Sequence, residues 1–392
     1  MDFLLVSTLP HWSNSSMVYY LILGFIAAWA VYFSKKSGYP IKSIICNPYY
    51  IVWWLLWTIS ATYRLVGINL GGTDSLYYIS FFHRQIDEHL SSDILFKYYN
   101  QFLSFFTDDY HFFFFITYGL IAFVTIKFID KFCPRKFSAI PFILTFFFFW
   151  RGWLSLRSHL AIIIILSGCL LLLKGRWKSA LLVAFLSMFV HKSAILYAMV
   201  VPFVVIFKKK ELKIKYVVIL ILLSMILGMI FRTYFIQYTS DEMLGGAYTS
   251  YVANAMEKSF FENTWKIAFE QMLLGAAILL FLKKVNNYFN SCSTAEKDKM
   301  QIIWLICIYD FMLIPINCIM GIWRGYEYFY LPRLIFWSLL TYFTLQMTPK
   351  GIRSIVSFLC LVCFVAWMVF RVYNTWEDSG LMPYIFEPFR YL

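Results

Sequence analysis

Charge is scarce in this sequence. Asp, Glu, Lys and Arg make up 14% of its 392 residues, against about 25% in ordinary soluble domains. Acids are scarcer still, at 21. With 61% apolar residues and a mean hydropathy of +0.68, too few polar side chains remain to cover a soluble core of this size. That excludes a soluble enzyme and a disordered chain. The eight cysteines are scattered, mostly through apolar runs, which excludes a disulfide scaffold. Cys360 and Cys363 read as a buried pair on neighbouring turns rather than a metal site. No Walker sequence, no G-x-G-x-x-G and no internal repeat occurs, so chemistry on a bound nucleotide is not expected. The opening MDFLLVSTLPHWS has no basic region and no A-x-A site, so no signal peptide is read there.

What is present is a series of apolar runs, near 17–33, 49–66, 111–126, 138–150, 154–173, 179–190, 193–207, 216–235, 266–282, 301–320, 331–347 and 354–373. They predict an all-α polytopic integral membrane protein with about twelve spanning or partly spanning helices. The whole chain, 1–392, reads as one transmembrane domain. Basic clusters follow every odd run: Lys35, Lys36 and Lys42; Lys127 to Lys136; Lys174 to Lys178; Lys208 to Lys215; Lys283 to Lys299; and Lys350 with Arg353. By the positive-inside rule these clusters are cytoplasmic and both termini lie outside.

This topology accounts for the net charge of +13. It comes to +17 on the inner side, −3 on the outer side and −1 from Asp310 within a span. Nucleic acid is therefore not needed as a partner. The sorting of cation types carries more information. Of 22 lysines 18 are inside, whereas nine of 12 arginines are outside: Arg64, Arg84, Arg151, Arg157, Arg232, Arg324, Arg333, Arg371 and Arg390. A planar guanidinium fork suits phosphate and carboxylate, so an anionic ligand is expected at the outer face. Snorkelling to lipid headgroups is the alternative, and it suits Arg232, Arg371 and Arg390.

Two hairpins are short for double crossings. Residues 179–207 give about 44 Å of helix at 1.5 Å per residue. Their apex, Val190 to Ser193, must lie below the outer surface, where polar backbone needs protein or a wet cavity. Arg151, Gly152, Arg157 and His159 mark the apex of 137–173, and Gly321, Arg324, Glu327 and Arg333 that of 301–347. Ionisable groups at such depth are functional candidates. Two outer loops are long. Residues 67–110 include an amphipathic helix, with Leu95, Phe96, Tyr99, Phe102, Leu103 and Phe106 at helical spacing. Residues 236–265 form the second, with Asp241, Glu242, Tyr248, Tyr251, Glu257 and Glu262. Aromatic and acidic surfaces suit sugars, and an interfacial aromatic belt has the same composition.

Three pieces stand in order: Arg64 followed by a glycine-rich turn, Gly72-Thr73-Asp74 and Tyr77; LRSHLA, Leu156 to Ala161; and HKSAIL, His191 to Leu196. This combination resembles the EpsG-like family of bacterial polysaccharide polymerases, which includes Wzy-type O-antigen and capsule polymerases. The family pattern is roughly R-x-x-x-G-T-D-x-x-x-Y, L-R-Q-x-[IL]-A and H-x-S-[AS]. The match spans about 60 to 200, with a looser arginine-rich match near 324–333. The chain departs from the pattern at Ser158 and His159. It also has a longer Arg64-to-Asp74 spacing through the insertion Ile68 to Gly71.

The resemblance implies a multi-span, lipid-donor glycosyltransferase of GT-C-like architecture in the bacterial inner membrane, with its active site facing outward. It would polymerise undecaprenyl-pyrophosphate-linked oligosaccharide repeat units by moving the growing glycan onto the non-reducing end of the next unit. Its partners would be that lipid-linked glycan and membrane lipid, with a chain-length regulator and a flippase as further candidates. Arginines would stabilise the leaving pyrophosphate: Arg157, Arg324 and Arg333 first, then Arg64 and Arg151. The acceptor hydroxyl needs a base, for which Asp74 and His191 are candidates, with Glu327 third. No metal or other cofactor is expected. Each role has a structural alternative: Asp74 as cap of a helix beginning at Ser75, His191 as a partner for hairpin backbone, and Arg157 as partner of an acid. Asp310 is expected to pair with a neighbouring helix. A lipid-oligosaccharide flippase and an O-antigen ligase are the competing functions.

Overall fold

The computed structural model describes residues 48–67, 70–72, 74–84, 93–133, 152–208, 213–238, 260–291, 293–319 and 323–356, with a few more up to 366. The apolar runs 17–33 and 138–150, Arg151, Thr73 and most of segment 236–265 fall outside these residues. Among the described residues the protein is helical, with no strand and a single isolated bridge between Gly67 and Leu70. The helices are α1 (Pro48–Thr62), α2 (Ser75–Phe82), α3 (Ile94–Ser104), α4 (Tyr110–Phe132), α5 (Leu156–Leu172), α6 (Trp177–Leu186), α7 (Ala194–Ala198), α8 (Val200–Phe207), α9 (Ile214–Tyr238), α10 (Phe260–Ser291), α11 (Thr294–Met312), α12 (Ile314–Ile319) and α13 (Tyr330–Met347). Among the described residues, three stretches are long and apolar enough to cross a membrane: Tyr110–Phe132, Gln271–Ser291 and Thr294–Ile319. Shorter apolar helices accompany them.

Proline explains where the structure divides runs that look continuous in the sequence. The run 193–207 is α7 and α8, separated at Met199, with Pro202 in the first turn of α8. The run 301–320 is α11 and α12, separated at Leu313, with Pro315 in the first turn of α12. Pro332 likewise sits in the first turn of α13. A proline has no N–H to donate and is tolerated where the N–H would have no helical partner anyway.

The chain folds as two compact units. One comprises residues 1–167, 186–194 and 337–392. Its centre is the α1–α4 pair. Gly119 of α4 has no side chain to hold the helices apart, so the Trp54 indole donates to its carbonyl at 2.7 Å. A Cβ there would sit 3.1 Å from the Trp54 ring. Hydroxyls in this apolar pair are satisfied within their own helix: Thr58 to Trp54, Thr62 to Thr58, Thr117 to Phe113 and Thr125 to Ile121. Stacked rings seat α2 on both neighbours, Phe81 on Phe96 of α3 at 5.6 Å and Phe82 on Phe113 of α4 at 5.3 Å. The far side of α3 and its C-terminal turn leaves Tyr98, Phe102, Phe105 and Phe106 exposed. Asp109 caps α4, its carboxylate accepting the His111 N–H at 2.9 Å.

The other unit comprises residues 168–185 and 195–336. Here α11 lies buried against α8, α9 and α10. Gly228 of α9 brings its backbone to within 3.1 Å, measured from an added Cβ, of Ile319 on α12. Phe203 of α8 meets Tyr309 of α11 at 5.2 Å. Ser293 accepts the N–H of Glu296 at the start of α11, a capping-box position. Along α9, Val218, Leu222, Met225, Ile226 and Met229 are exposed. An apolar face uncovered over this length is at home in lipid, not water.

Candidate functional site

Arg64 closes the turn that follows α1. It is 1% exposed. Its Nε donates to the Gly71 carbonyl at 2.6 Å, and its Nη1 donates to the Ala61 carbonyl. Its Nη2 reaches Ser75 Oγ at 2.9 Å and the Tyr118 hydroxyl at 2.8 Å. The rings of Phe114, Tyr118 and Trp153 surround the guanidinium within 5.6 Å. Gly71 and Gly72 have φ of 72° and 103°, backbone that a side chain rarely adopts. A Cβ on Gly71 would also run into the Leu65 carbonyl. The loop brings Asp74 to the N-terminal end of α2, half-buried. It stands at the N-cap position without making a side-chain cap bond.

Arg157, in the first turn of α5, pairs with Asp93 through Nη1 and Oδ2 at 2.7 Å. Tyr77 and Phe96 each lie 5.9 Å from its guanidinium. The arginine side chain is 17% exposed and the Asp93 side chain 0%. Burial raises the Asp93 carboxyl above its ordinary range, although Arg157 and the backbone N–H and charge of Lys192 pull the other way. Tyr77 is raised too, by burial first, with Arg157 opposing and the Asp93 and Asp74 charges adding. His191 precedes Lys192 in the chain, its Nδ1 near Ser193 Oγ at 3.0 Å and accepting the Ser193 N–H at 3.3 Å. His159 is fully buried against Ser155, and Gly152 faces its ring.

Residues from all three motif pieces, Asp74, Tyr77, Arg157, His191 and Lys192, therefore belong to one folded unit. The glycine turn supplies Asp74 and Tyr77, LRSHLA supplies Arg157, and HKSAIL supplies His191 and the Lys192 N–H. Arg157 is the most open of the described motif arginines, whereas Arg64 is enclosed by the protein's own carbonyls, hydroxyls and rings. Asp93 pairs with Arg157 across a long stretch of chain. Its partner lies 64 positions away, and no periodicity or local motif marks such a pair.

The second unit holds Glu327 and Arg333. Arg333 is 1% exposed. Its Nε lies 2.8 Å from Asp310 Oδ2, its Nη2 donates to the Tyr326 carbonyl, and the Tyr330 ring stands 5.6 Å from it. Asp310, as the sequence suggested, is held by neighbouring helices: Arg333 of α13 and Gln271 of α10, whose Nε2 donates to Oδ1 at 3.0 Å. Tyr197 stacks on Tyr328 at 3.9 Å and donates to Asn317 at 2.7 Å. Glu327 is buried in the turn Trp323–Glu327. The side chain of Arg324 lies outside the described residues. No cluster of His, Cys, Asp and Glu suited to a metal occurs among the described residues.

The model of the EpsG family matches residues 48–386. The chain belongs to that family, and its apolar helices make it a membrane protein. No curated protein and no solved structure matches it. Family membership points to a polysaccharide-polymerase type of role, of glycosyltransferase character.

Proposed function

We propose that this EpsG-family protein polymerises undecaprenyl-pyrophosphate-linked oligosaccharide repeat units at the outer face of the bacterial inner membrane. The growing glycan leaves its lipid pyrophosphate and is transferred to the non-reducing end of the incoming lipid-linked unit. The observation that carries the reading is Arg157: an accessible guanidinium at a helix start, in the same unit as Asp74 and His191, within a chain matched to the family over most of its length.

Departure of the glycan builds negative charge on the pyrophosphate, and a fixed guanidinium stabilises that charge without reorganisation. Arg157 takes this role, with Arg324, Arg333 and Arg151 as further candidates. Arg64 serves the turn that carries Asp74. The acceptor hydroxyl gives its proton to Asp74 or His191, and Glu327 is the third candidate. No nucleotide is needed, since the lipid pyrophosphate is the leaving group. A chain-length regulator and a flippase are its candidate partners.

The test is the full-length protein in nanodiscs with a purified lipid-linked repeat unit. A ladder of polymer on lipid supports the reading. Transfer of the unit to lipid A would make it a ligase, and translocation without elongation a flippase.

A further inference from the structure

Asp93 occupies the residue just before α3, where an aspartate ordinarily turns its carboxylate back to the free N–H groups of its own helix. Here it makes no such bond. The side chain is buried instead, holding Arg157 at 2.7 Å, with the backbone N–H of Lys192 also acting on it. Three separate stretches of chain thus meet at one carboxylate: the start of α3, the LRSHLA motif and the HKSAIL motif. The Tyr77 ring, from the glycine-turn motif, lies 5.9 Å from the same guanidinium.

We infer that Asp93 is a positioning residue for Arg157, tethering the end of its side chain where it meets the pyrophosphate. The inference rests on the reading of Arg157 given under Proposed function. Asp93 itself has no exposed surface, so it acts through the arginine, which does. A long arginine side chain loses rotamer freedom on binding unless something holds it beforehand. Asp93 supplies that restraint at one terminal nitrogen, and the Tyr77 and Phe96 rings each lie 5.9 Å from the guanidinium. The buried carboxylate is expensive to keep, and a neutral cap at this place would be cheaper for the helix.

The test uses the full chain in nanodiscs, with a purified lipid-linked repeat unit, and compares Arg157→Ala, Asp93→Asn, Asp93→Glu and the double Asp93→Asn/Arg157→Ala. Misplacing a reacting partner by about 1 Å costs up to ~100-fold. Asp93→Asn should therefore lower kcat by ~10- to 100-fold with a smaller change in KM. Asp93→Glu should recover part of that loss, and Asp93→Asn should add nothing in the Arg157→Ala background. A normal kcat in Asp93→Asn, or losses that multiply in the double variant, overturns the inference. If Asp93→Asn does not fold, Asp93→Glu carries the test, because it keeps the charge and displaces it by one methylene. A wild-type kcat in that variant overturns it equally. Normal polymerisation by Arg157→Ala would defeat the reading under Proposed function and this inference with it. Dependence on Arg157 with indifference to Asp93 would defeat this inference alone.

Discussion

Asp310 of α11 and Arg333 of α13 form an ion pair at 2.8 Å with essentially no exposed surface. Gln271 of α10 donates to the other oxygen of the carboxylate at 3.0 Å. Removing one member leaves the other charged and buried, which typically costs about 3–5 kcal/mol. Arg333→Met or Asp310→Leu alone should therefore lower the unfolding midpoint in detergent sharply. The double variant should recover most of it, since an apolar pair of similar volume suits the same space. The double variant also separates two roles for Arg333. If the arginine only joins helices, the recovered protein polymerises. If it also holds pyrophosphate, the protein is stable and inactive.

Gly71 and Gly67 make a second contrast. Gly71 has φ of 72° and its added Cβ would meet the Leu65 carbonyl, whereas at Gly67 an added Cβ meets only Leu70, at 3.7 Å. Gly71→Ala should cost about 1–3 kcal/mol from backbone strain alone, plus the clash, and should displace the Arg64 Nε bond to that residue's carbonyl. Gly67→Ala should be close to neutral. Thermal unfolding of the two variants side by side checks this.

Much of the architecture is legible in the sequence because hydropathy is a local property. The runs 111–126 and 266–282 lie inside the helices Tyr110–Phe132 and Phe260–Ser291, and 154–173 nearly coincides with Leu156–Leu172. What hydropathy alone hides is where Pro202 and Pro315 divide an apolar run. Of the site, Arg157 and His191 stand out because short motifs surround them. Asp93 does not, and neither do Gln271 and Asn317, because burial and long-range pairing give them their roles. The enclosure of Arg64 is equally invisible: its partners at Tyr118 and Trp153 come from other helices.

Asp109 gives a pH-dependent prediction. Burial is the largest single influence and raises its carboxyl, but the N–H, ring and charge of His111, with the charge of His83, together outweigh it, so it sits below the ordinary carboxylate range. A lowered pKa contributes stability that is present above the unfolded value and is lost as pH falls through the folded one. At neutral pH, Asp109→Ala should destabilise the start of α4 by about 1 kcal/mol. The difference from wild type should shrink as pH falls below about 4. Hydrogen exchange of the first turn of α4, measured at both pH values, reads it.

Of the three candidates for the base, Asp74 and His191 belong to the same unit as Arg157. Asp74 stands at the N-cap of α2 without a side-chain cap bond, so a purely capping role predicts little loss for Asp74→Asn. A role as base predicts a fall in kcat of ~100- to 10,000-fold, the usual worth of general base catalysis. His191 Nδ1 accepts the Ser193 N–H at 3.3 Å, which puts the proton of the neutral ring on Nε2, so a role as base means uptake of the proton at Nδ1. His191→Gln keeps a polar group at the hairpin but cannot accept a proton at neutral pH. If His191 is the base, kcat should collapse in this variant, and the acid limb of the wild-type pH–rate profile should vanish with it. If Asp74 is the base, His191→Gln should retain both the rate and that limb, and Asp74→Asn should abolish polymer at normal expression.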